Sequence, residues 1–417
     1  MFWSRRGDWN LSRSIGMIAQ GLYARNLSMK KQNLHHKANL LGELAGFDVT
    51  GFPLAIFPKK HIARSSLIYP AAGQKGECIN LFKVLQTNFC ENNCFYCVNR
   101  KDRGCPRIEF APQELASLFL EYYKKRWVKG LFLSSAINVS PNASQEKMLE
   151  TLKILRQRYN YQGYIHCKIL PGVDTGLIEA TGRLADRLSM NLEAPNQKCL
   201  SELSADKNFH RELLDGLKKI ASFHGKHPLK GGVTTQLVVG AANEGDKEIL
   251  SLSHNLYRGH NLRRVYYSAF TPVEDTPLEN LRPCPPLREF RLYQADFLLR
   301  KYNFTPEELI FDEKGDLYLD KDPKLVWALS NIDRFPVEIN KALFEELIRV
   351  PGIGRISARK ILDIRKNTKL KELEQLKKLG TVVKRARKFI TLNGKFYPAK
   401  KELEPEIDKQ LFLWEEI

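Results

Sequence analysis

Three cysteines lie close together in the first quarter of the chain, at Cys90, Cys94 and Cys97. Their spacing, C-x3-C-x2-C, puts three thiols on one short loop. Three thiolates hold three irons of a [4Fe–4S] cluster and leave the fourth iron open to a substrate or cofactor, whereas a fully ligated electron-transfer cluster needs a fourth cysteine. The spacing therefore indicates chemistry at the cluster more than electron storage.

The same loop also fits a zinc knuckle or a group of three buried thiols. Zinc sites, however, usually combine C-x2-C with a second pair of ligands further along the chain. The sequence contains no second pair at such a spacing. The pattern therefore favours the iron–sulfur cluster.

The composition fits a protein of two or three domains in a reducing compartment. The 417 residues suffice for that number at roughly 150 residues each. The sequence has no run of about 18 apolar residues, the length that a membrane-spanning helix needs. Eight cysteines, three of them clustered, fit a reduced protein better than a disulfide framework. We therefore expect a cytoplasmic protein with no membrane partner.

The positive charge of the chain is concentrated towards its C-terminus. Residues 341–400 contain 17 Lys and Arg against 5 Asp and Glu, while the net charge of the whole chain is +19. Such a local surplus attracts nucleic acid or another anionic surface. A well-solvated helical face is the alternative interpretation, and charge alone does not decide between them.

Strands and helices alternate along the middle of the chain. Strands are predicted at 79–85, 131–135, 164–170, 188–193, 232–239 and 264–269, and helices at 112–127, 143–159, 175–184, 207–224 and 244–257. Six βα repeats imply parallel strands with right-handed crossovers. The predicted fold class is therefore α/β, with a partial (βα)6 TIM-like barrel. Active sites of such barrels lie at the carboxyl ends of the strands, which is where the cysteine loop follows the first strand.

Polar and apolar residues alternate within the third and fourth predicted strands. Alternation with a period of two sends one set of side chains to each face of a strand. The polar set comprises Tyr164, His166, Lys168, Ser189, Asn191 and Glu193. Because the helices must cover the apolar set, the polar set is predicted to face a functional lumen. The alternative is that these polar groups merely satisfy one another.

The cysteine loop resembles the signature loop of the radical S-adenosylmethionine (SAM) enzymes. Tyr96, directly before the third cysteine, strengthens the resemblance, because the family favours an aromatic residue there, near the SAM adenine. The resemblance implies a [4Fe–4S] cluster, SAM, and a one-electron donor such as a flavodoxin or a ferredoxin. It also implies reductive cleavage of SAM to a 5′-deoxyadenosyl radical, which removes a hydrogen atom from the substrate.

The resemblance also implies cofactor-binding positions after several strands. Where the family often has a Gly-Gly-Glu run, this chain has Ser134, Ser135 and Ala136, so the acidic side chain is absent. The later positions implied are Asn191 and Glu193 for the SAM ribose and carboxylate, and Gly240 and Ser268 on the adenine side. Of all these positions only the three cysteines are specific to the family.

A second resemblance appears at residues 336–362, where two amphipathic segments flank Pro351-Gly352-Ile353-Gly354. This run resembles the hairpin of the helix-hairpin-helix DNA-binding motif. Glycines allow close approach to a phosphate, and the following helix presents free N–H groups at its N-terminus. The predicted nucleic-acid-binding residues of this hairpin are Gly352, Gly354, Arg355, Arg359 and Lys360.

A degenerate second copy of the motif is predicted at residues 370–390. Its hairpin is Leu379-Gly380-Thr381, and Lys384 and Arg385 are its predicted phosphate contacts. Such contacts fix the position of a protein on the nucleic-acid backbone without identifying bases. A helical hairpin used for protein contact is the alternative interpretation.

Together, the motifs predict five segments. They are a basic arm at 1–40, the barrel at 41–283, a linker or accessory segment at 284–335, a small all-α helix-hairpin-helix domain at 336–395 and a tail at 396–417. This arrangement resembles a family of radical SAM proteins linked to DNA modification or repair. It implies an enzyme whose partner is DNA. An RNA-modifying enzyme and a DNA-bound iron–sulfur redox sensor without turnover are the alternatives.

Two further cysteines, Cys199 and Cys284, are candidate hydrogen-atom donors that quench a substrate radical. Cys199 follows the fourth predicted strand and Cys284 follows the sixth, so both are expected at the active end of the barrel. Cys167 alternates onto the helix-facing side and is a weaker candidate. An incidental buried thiol is the other interpretation of each.

Overall fold

The computed structural model describes residues 34–46, 67–72 and 78–397. Residues 1–33 of the predicted basic arm, and the predicted tail from residue 398 onwards, lie outside this part of the chain. The last residues of the predicted arm, from 34 to 40, begin a helix, α1, that extends to residue 45. Ala38, Leu41 and Ala45 of this helix are completely buried in the main core.

Seven strands form the main sheet, in the same order as in the sequence. They are β1 Ile68–Ala72, β2 Cys78–Leu85, β3 Gly130–Ser134, β4 Tyr164–Lys168, β5 Arg187–Ser189, β6 Gly232–Val239 and β7 Arg264–Ala269. β2 to β7 are parallel, as predicted. The antiparallel edge strand β1, which pairs with β2, was not predicted. The curled sheet and its outer helices confirm the partial (βα)6 barrel.

Helices follow the strands and cover the apolar face of the sheet. They are α2 Pro112–Lys124, α3 Pro141–Lys153, α4 Thr175–Gly182, α5 Gln197–Ser201, α6 Asp215–Lys226, α7 Asp246–His260 and α8 Pro286–Lys301. α3 continues into a π-helical turn at Ile154–Arg158, and another at Phe209–Leu214 precedes α6. None of the helices in the described ranges has the length and apolar composition needed to cross a bilayer.

The fourth predicted strand is shorter than the sequence pattern indicates. The prediction was 188–193, but β5 ends at Ser189. The chain still follows β6, since the Glu193 N–H donates to the Gln236 carbonyl at 3.0 Å. Glu193, however, has a φ of +63°, a left-handed conformation that interrupts an extended strand. The regular strand therefore ends before the predicted residue 193.

Helix α8 packs on the barrel although it lies beyond residue 283, where the predicted barrel segment ends. The Tyr293 hydroxyl accepts a hydrogen bond from the Tyr267 N–H and donates one to the Tyr267 carbonyl, each at 3.0 Å. At the other end of α8, Arg288 forms a 2.8 Å ion pair with the buried Asp246. These contacts fix α8 against β7 and α7.

The C-terminal part contains the predicted helical motif and a small sheet that was not predicted. Its helices are α9 Pro323–Ser330, α10 Phe344–Leu347, α11 Arg355–Arg365, α12 Leu373–Lys378 and α13 Val383–Ala386. The expectation of an all-α domain is therefore incomplete, because β8 Val337–Glu338, β9 Ile390–Leu392 and β10 Lys395–Phe396 form a three-stranded sheet. These strands are too short to leave a period-two pattern in the sequence.

Candidate active site and helical hairpin

The cysteine loop follows β2 at the carboxyl edge of the parallel strands. Cys94 is buried, and Cys90 and Cys97 are half-buried. The loop starts beside the segment that follows β3, because the Glu91 N–H donates to the Ile137 carbonyl at 2.7 Å. The structure thus brings the three predicted thiols to the end of the barrel where the sequence placed them.

A single guanidinium, that of Arg107, supports the loop from within. It donates to the carbonyls of Asn88, Asn99, Arg100, Lys101 and Arg103. Hydrogen bonds from a charged donor are stronger than neutral ones, and five acceptors from one loop converge on this side chain. Arg107 therefore holds the chain in place just before Cys90 and just after Cys97.

A second segment, residues 203–207, clamps the middle of the loop. The Phe95 N–H donates to the Leu203 carbonyl at 2.8 Å, and the Asn93 N–H donates to the Asp206 carboxylate at 2.5 Å. Both contacts flank Cys94. The clamp was not predicted, because residues 203–207 precede a helix and carry no motif of their own.

The clamp ends in a buried charge network beside the cysteines. Lys207 Nζ lies 3.4 Å from Glu193 Oε1, and both side chains are only 9% exposed. The Tyr96 hydroxyl also hydrogen-bonds to Glu193, and Asn191 Nδ2 lies 3.5 Å from Glu193 Oε2. The predicted Tyr96, Asn191 and Glu193 therefore lie together, and Lys207 is a functional candidate that the sequence analysis missed.

The thiols and Lys207 influence one another electrostatically. Burial, followed by the charge of the neighbouring Cys94 sulfur, raises the pKa of Cys97 to about 12. Burial also raises the pKa of Cys90. Burial alone would lower the pKa of Lys207, but Cys94 and Glu193 outweigh it and hold that pKa above its ordinary value. Lys207 is therefore a cation at neutral pH, placed to offset negative charge at the cysteine loop.

The donor set of the loop fits a [4Fe–4S] cluster. Among the described residues, no three His, Cys, Asp or Glu side chains converge on one point as ligands of a single metal ion do. Each iron of a cluster takes its own thiolate, and three thiols spread along one loop suit that arrangement. The buried Lys207 supplies the positive charge that several thiolates in a confined space require.

A small polar cavity opens inside the sheet. Its polar lining consists of His166, Lys168, Ser189, Asn191, Thr234, Thr235 and Gln236, and its aromatic lining of Phe132 and Tyr266. The Thr234 hydroxyl is buried without a hydrogen-bond partner among the described residues. The prediction that the polar faces of the third and fourth strands share a lumen is confirmed for His166, Lys168, Ser189 and Asn191.

His166 is an uncharged group in a positively charged part of the cavity. Its Nε2 lies 2.8 Å from the Ser189 hydroxyl oxygen. Burial, followed by the positive charges of Arg187 and Lys168, holds the pKa of His166 well below its ordinary value. A neutral imidazole offers one donor and one acceptor, so His166 can orient a bound group without adding charge.

The remaining predicted cofactor positions lie at the carboxyl edge but in two groups. The Ser134 carbonyl accepts from the Gln86 N–H at 2.8 Å, and the Ser135 hydroxyl donates to the Ala136 carbonyl at 2.8 Å. Two of the three carbonyls in this run therefore already have donors. Gly240, with a φ of +87°, ends β6, and Ser268 lies near the end of β7. The binding roles of all these residues remain predictions.

The two candidate hydrogen-atom donors are buried in the hydrophobic core. Cys199 is 3% exposed and Cys284 is 5% exposed, and neither lines the cavity. A Cβ at Gly240 would lie 2.9 Å from Cys284 Sγ, so Cys284 packs on a position where only glycine fits. Cys167 is completely buried in the core, which confirms its predicted direction. The donor roles stay predictions.

The C-terminal hairpin combines one packed glycine with one open glycine. Gly352 has a φ of +86°, and a Cβ there would lie 2.5 Å from the Val382 carbonyl oxygen. The Gly352 carbonyl in turn accepts from the Val382 N–H at 2.8 Å. Gly352 therefore packs the first hairpin against the second, whose Gly380 also has a positive φ, of +90°. Gly354, by contrast, would have its nearest neighbour at 3.7 Å.

The predicted basic residues of the hairpins fall into two classes. Arg359, Lys360 and Lys384 are exposed and Arg355 is half-buried. Arg385 instead forms an ion pair with the buried Asp322, which belongs to the start of α9. This pair attaches the second hairpin to the preceding segment, so the phosphate role predicted for Arg385 competes with a structural one.

Lys324 supports the first hairpin from beneath. Its Nζ donates to the Ile353 carbonyl at 2.7 Å and lies 4.9 Å from the centre of the Tyr302 ring. Burial lowers the pKa of Lys324 to about 7, although Asp322 opposes that shift. Neither Lys324 nor Tyr302 carries a signal in the sequence that would have linked it to the hairpin.

Comparison with known proteins identifies both parts. Residues 84–253 match the radical SAM superfamily, and residues 334–386 match the helix-hairpin-helix motif. Radical SAM domains bind a [4Fe–4S] cluster and SAM, and the cysteines for the cluster are present. No curated protein matches the chain.

Several solved structures are similar to about half of the chain at low sequence identity. Methylornithine synthase (PylB) is 16% identical, with a TM-score of 0.42, over 51% of this chain and 60% of that one. The [FeFe]-hydrogenase maturase HydG is 12% identical, with a TM-score of 0.43, over 52% of this chain and 48% of that one. TsrM from Kitasatospora setae, a radical SAM methyltransferase, is 12% identical, with a TM-score of 0.36, over 51% and 36%. The chain therefore covers less than two thirds of each of these proteins.

Proposed function

We propose that this radical SAM protein, with its C-terminal helix-hairpin-helix motif, is an enzyme that modifies or repairs a nucleotide in DNA. The radical SAM domain implies an enzyme. One observation carries the proposal further: the same chain joins a barrel that has a clamped cysteine loop and a polar cavity to a helical hairpin with exposed basic residues.

The proposed cofactors are held by residues at the carboxyl edge of the barrel. Cys90, Cys94 and Cys97 would hold the [4Fe–4S] cluster, and Tyr96 and Glu193 would line the SAM site. When bound, this pair of cofactors supplies a 5′-deoxyadenosyl radical. Lys207 gives the Glu193 carboxylate a positive partner beside the loop, since Lys207 Nζ lies 3.4 Å from Glu193 Oε1.

The cavity supports a substrate that carries polar groups and negative charge. Lys168 and Arg187 act on His166 as positive charges, and Asn191 and Gln236 offer both donors and acceptors to a base or a sugar. Phe132 lies against the His166 ring with a centroid distance of 4.6 Å and gives the cavity an aromatic wall. A nucleotide of a duplex would have to leave the base stack to enter, at a cost of a few kcal/mol.

The helix-hairpin-helix motif is the observation that favours DNA as the substrate. Its exposed Arg359 and Lys360 suit contacts to phosphates, which position a protein without reading bases. The enzyme would draw its electron from a flavodoxin or a ferredoxin in the cytoplasm, where a reducing environment preserves the cluster.

The direct test is to quantify 5′-deoxyadenosine from anaerobically reconstituted protein given dithionite and SAM. The reaction is run without nucleic acid, with duplex DNA, with damaged DNA and with RNA, beside a Cys94→Ala control. We expect Cys94-dependent product that rises with DNA. A rise with RNA alone would instead indicate an RNA-modifying enzyme. Product no higher than in the Cys94→Ala variant, despite a fully loaded cluster, would favour a DNA-bound redox sensor.

A further inference from the structure

The helical hairpin lies at the end of the barrel opposite the cysteine loop. Helix α8 runs back along β7, so its last residue, Lys301, lies near the start of β7 at the amino edge of the sheet. The chain then passes through Tyr302, whose hydroxyl lies 3.7 Å from the position of a Cβ at Gly354. The open glycine of the hairpin therefore adjoins the amino edge of the barrel.

Three cations from three different elements meet at this edge. Arg263 immediately precedes β7, Lys301 ends α8 and Arg355 begins α11. Arg263 and Lys301 are exposed, and Arg355 is half-buried. Partial burial and then the positive charges of Arg300, Arg263 and Arg355 lower the pKa of Lys301, so Arg263 and Arg355 both lie within electrostatic reach of Lys301.

These three cations differ from their neighbours in having no carboxylate partner among the described residues. Arg300 pairs with Asp296 at 2.7 Å, Arg349 pairs with Glu308 at 2.8 Å, and Arg385 pairs with Asp322. The paired cations fix α8 internally and attach the hairpins to the residues that precede them, whereas the three unpaired ones repel each other. Like charges kept together without a counter-ion are typical of a surface that binds an anion.

We infer that Arg263 and Lys301 of the barrel extend the phosphate-contacting surface of the helix-hairpin-helix motif. Together with Arg355 they form one composite surface, which fits the sugar–phosphate backbone of duplex DNA. This inference rests on the proposed function, because it assumes that the hairpin binds DNA. It adds that the barrel itself contributes to the binding, at its amino edge.

The composite surface is held as a rigid unit. Arg349 stacks 3.7 Å from the centre of the Phe304 ring and pairs with Glu308, while Lys324 bonds to the Ile353 carbonyl at 2.7 Å. The buried side chains of Trp327 and Phe304 complete this junction, with ring centroids 5.4 Å apart. The hairpin is therefore packed on the residues that follow α8, which holds Arg355 in a fixed position relative to Lys301, as a duplex of regular phosphate spacing requires.

The test is the salt dependence of binding to a fluorescent DNA duplex, measured by anisotropy on the full, cluster-loaded protein. The variant Arg263→Ala/Lys301→Ala is compared with wild type. Each lost phosphate contact lowers the slope of log affinity against log salt by about one, so we expect a reduction of up to about two. At about 0.1 M salt the affinity should fall at least tenfold.

A matched control is Lys124→Ala/Lys153→Ala. Both lysines are exposed on helices at the far side of the sheet, on α2 and α3, and the variant loses the same charge. An RNA duplex of the same sequence serves as a second ligand. The control should bind DNA with the wild-type slope, and RNA should bind more weakly than DNA.

Two results would overturn the inference, and they are distinguishable from failure of the proposed function. If Arg355→Ala/Arg359→Ala weakens DNA binding but Arg263→Ala/Lys301→Ala matches wild type, the barrel makes no contact and only the hairpin binds. If both double variants and the control weaken binding equally, the effect is one of net charge alone. If wild-type protein does not bind DNA at all, the proposed function falls together with the inference.

Discussion

The two ends of the barrel differ in the burial and pairing of their charged side chains. At the carboxyl edge, Lys207 and Glu193 are buried and paired beside the cysteine loop. At the amino edge, Arg263 and Lys301 are exposed and have no carboxylate partner among the described residues. A buried, paired network holds groups in one geometry, whereas unpaired surface cations attract a mobile anion. This difference agrees with the proposal that one end is preorganised for chemistry and the other is open for binding DNA.

The separation of the two ends sets a requirement on the substrate. Strand β6 has 8 residues, and at about 3.3 Å per residue, with the usual tilt of barrel strands, it spans roughly 20 Å along the barrel axis. A DNA molecule that contacts both ends must cover at least that distance. At about 3.4 Å per base pair, this corresponds to roughly six base pairs.

The largest effect is expected from removing a thiol of the loop. Cys94→Ser should abolish cluster loading and SAM cleavage while leaving DNA affinity within about twofold of wild type, because the hairpin lies at the other end. Iron content and DNA anisotropy measure the two properties. The control is Cys105→Ser, whose thiol is half-buried nearby but lies outside the C-x3-C-x2-C spacing. Loss of iron from Cys105→Ser as well would contradict the assignment of ligands.

The converse result, in which DNA binding is lost and the cluster is retained, is expected from Gly352→Ala. Gly352 has a positive φ, and an added Cβ would lie 2.5 Å from the Val382 carbonyl oxygen. The substitution should therefore lower the free energy of unfolding of the domain by about 2–4 kcal/mol. DNA binding should fall steeply while iron content stays at the wild-type level. Gly354→Ala, with no neighbour closer than 3.7 Å, should leave the domain folded. Equal stability of the two variants in thermal unfolding would argue against the packing role of Gly352.

A smaller effect is expected when Lys207 is changed. Lys207→Met removes a buried positive charge beside the cysteines, and the reduction potential of the cluster should shift down by tens of millivolts, because net charge sets such potentials. Lys207→Arg keeps the charge and should therefore keep a potential close to that of the wild type. Redox titration followed by electron paramagnetic resonance measures it. A Lys207→Met protein with the wild-type potential would show that the lysine only packs.

The smallest effect is expected from Lys324, as a pH dependence of stability. Its pKa of about 7 in the folded protein lies below the ordinary 10.5, so the unfolded chain binds more protons between those values. The free energy of unfolding should therefore rise with pH across this window, by about 1 kcal/mol per unit between pH 7.5 and 9.5. Lys324→Met should lack this rise. Denaturant unfolding at several pH values measures this dependence. If Lys324 were solvated, the free energy of unfolding would change with pH in the same way in the wild type and in the variant.

The sequence predicts the barrel well where alternation and turn residues agree. The bounds of β6 and β7 match the predicted 232–239 and 264–269, because Gly232 and the residues after Val239 mark the ends. β5 ends early because the backbone bends at Glu193, and no sequence pattern shows that bend. β1 was missed because its partner strand, rather than its own composition, makes it a strand.

The site was predictable only where the motif is local. The three cysteines and Tyr96 lie on one loop, so their spacing identifies them. Lys207 reaches Glu193 across 14 residues of sequence, and Lys324 reaches Ile353 across 29. Such contacts depend on how distant elements pack, so no local pattern indicates them. The same limit hid the neighbourhood of Arg263, Lys301 and Arg355.

The most direct test of the account is the dependence of SAM cleavage on DNA length. Hairpin-closed duplexes with stems of about 4, 8, 12 and 20 base pairs are supplied at saturating concentration, and the initial rate of 5′-deoxyadenosine formation is measured. We expect no stimulation by the shortest stem and a rise once the stem exceeds roughly six base pairs. Equal stimulation by the shortest stem, or by a free nucleotide, would contradict the claim that one DNA molecule contacts both ends.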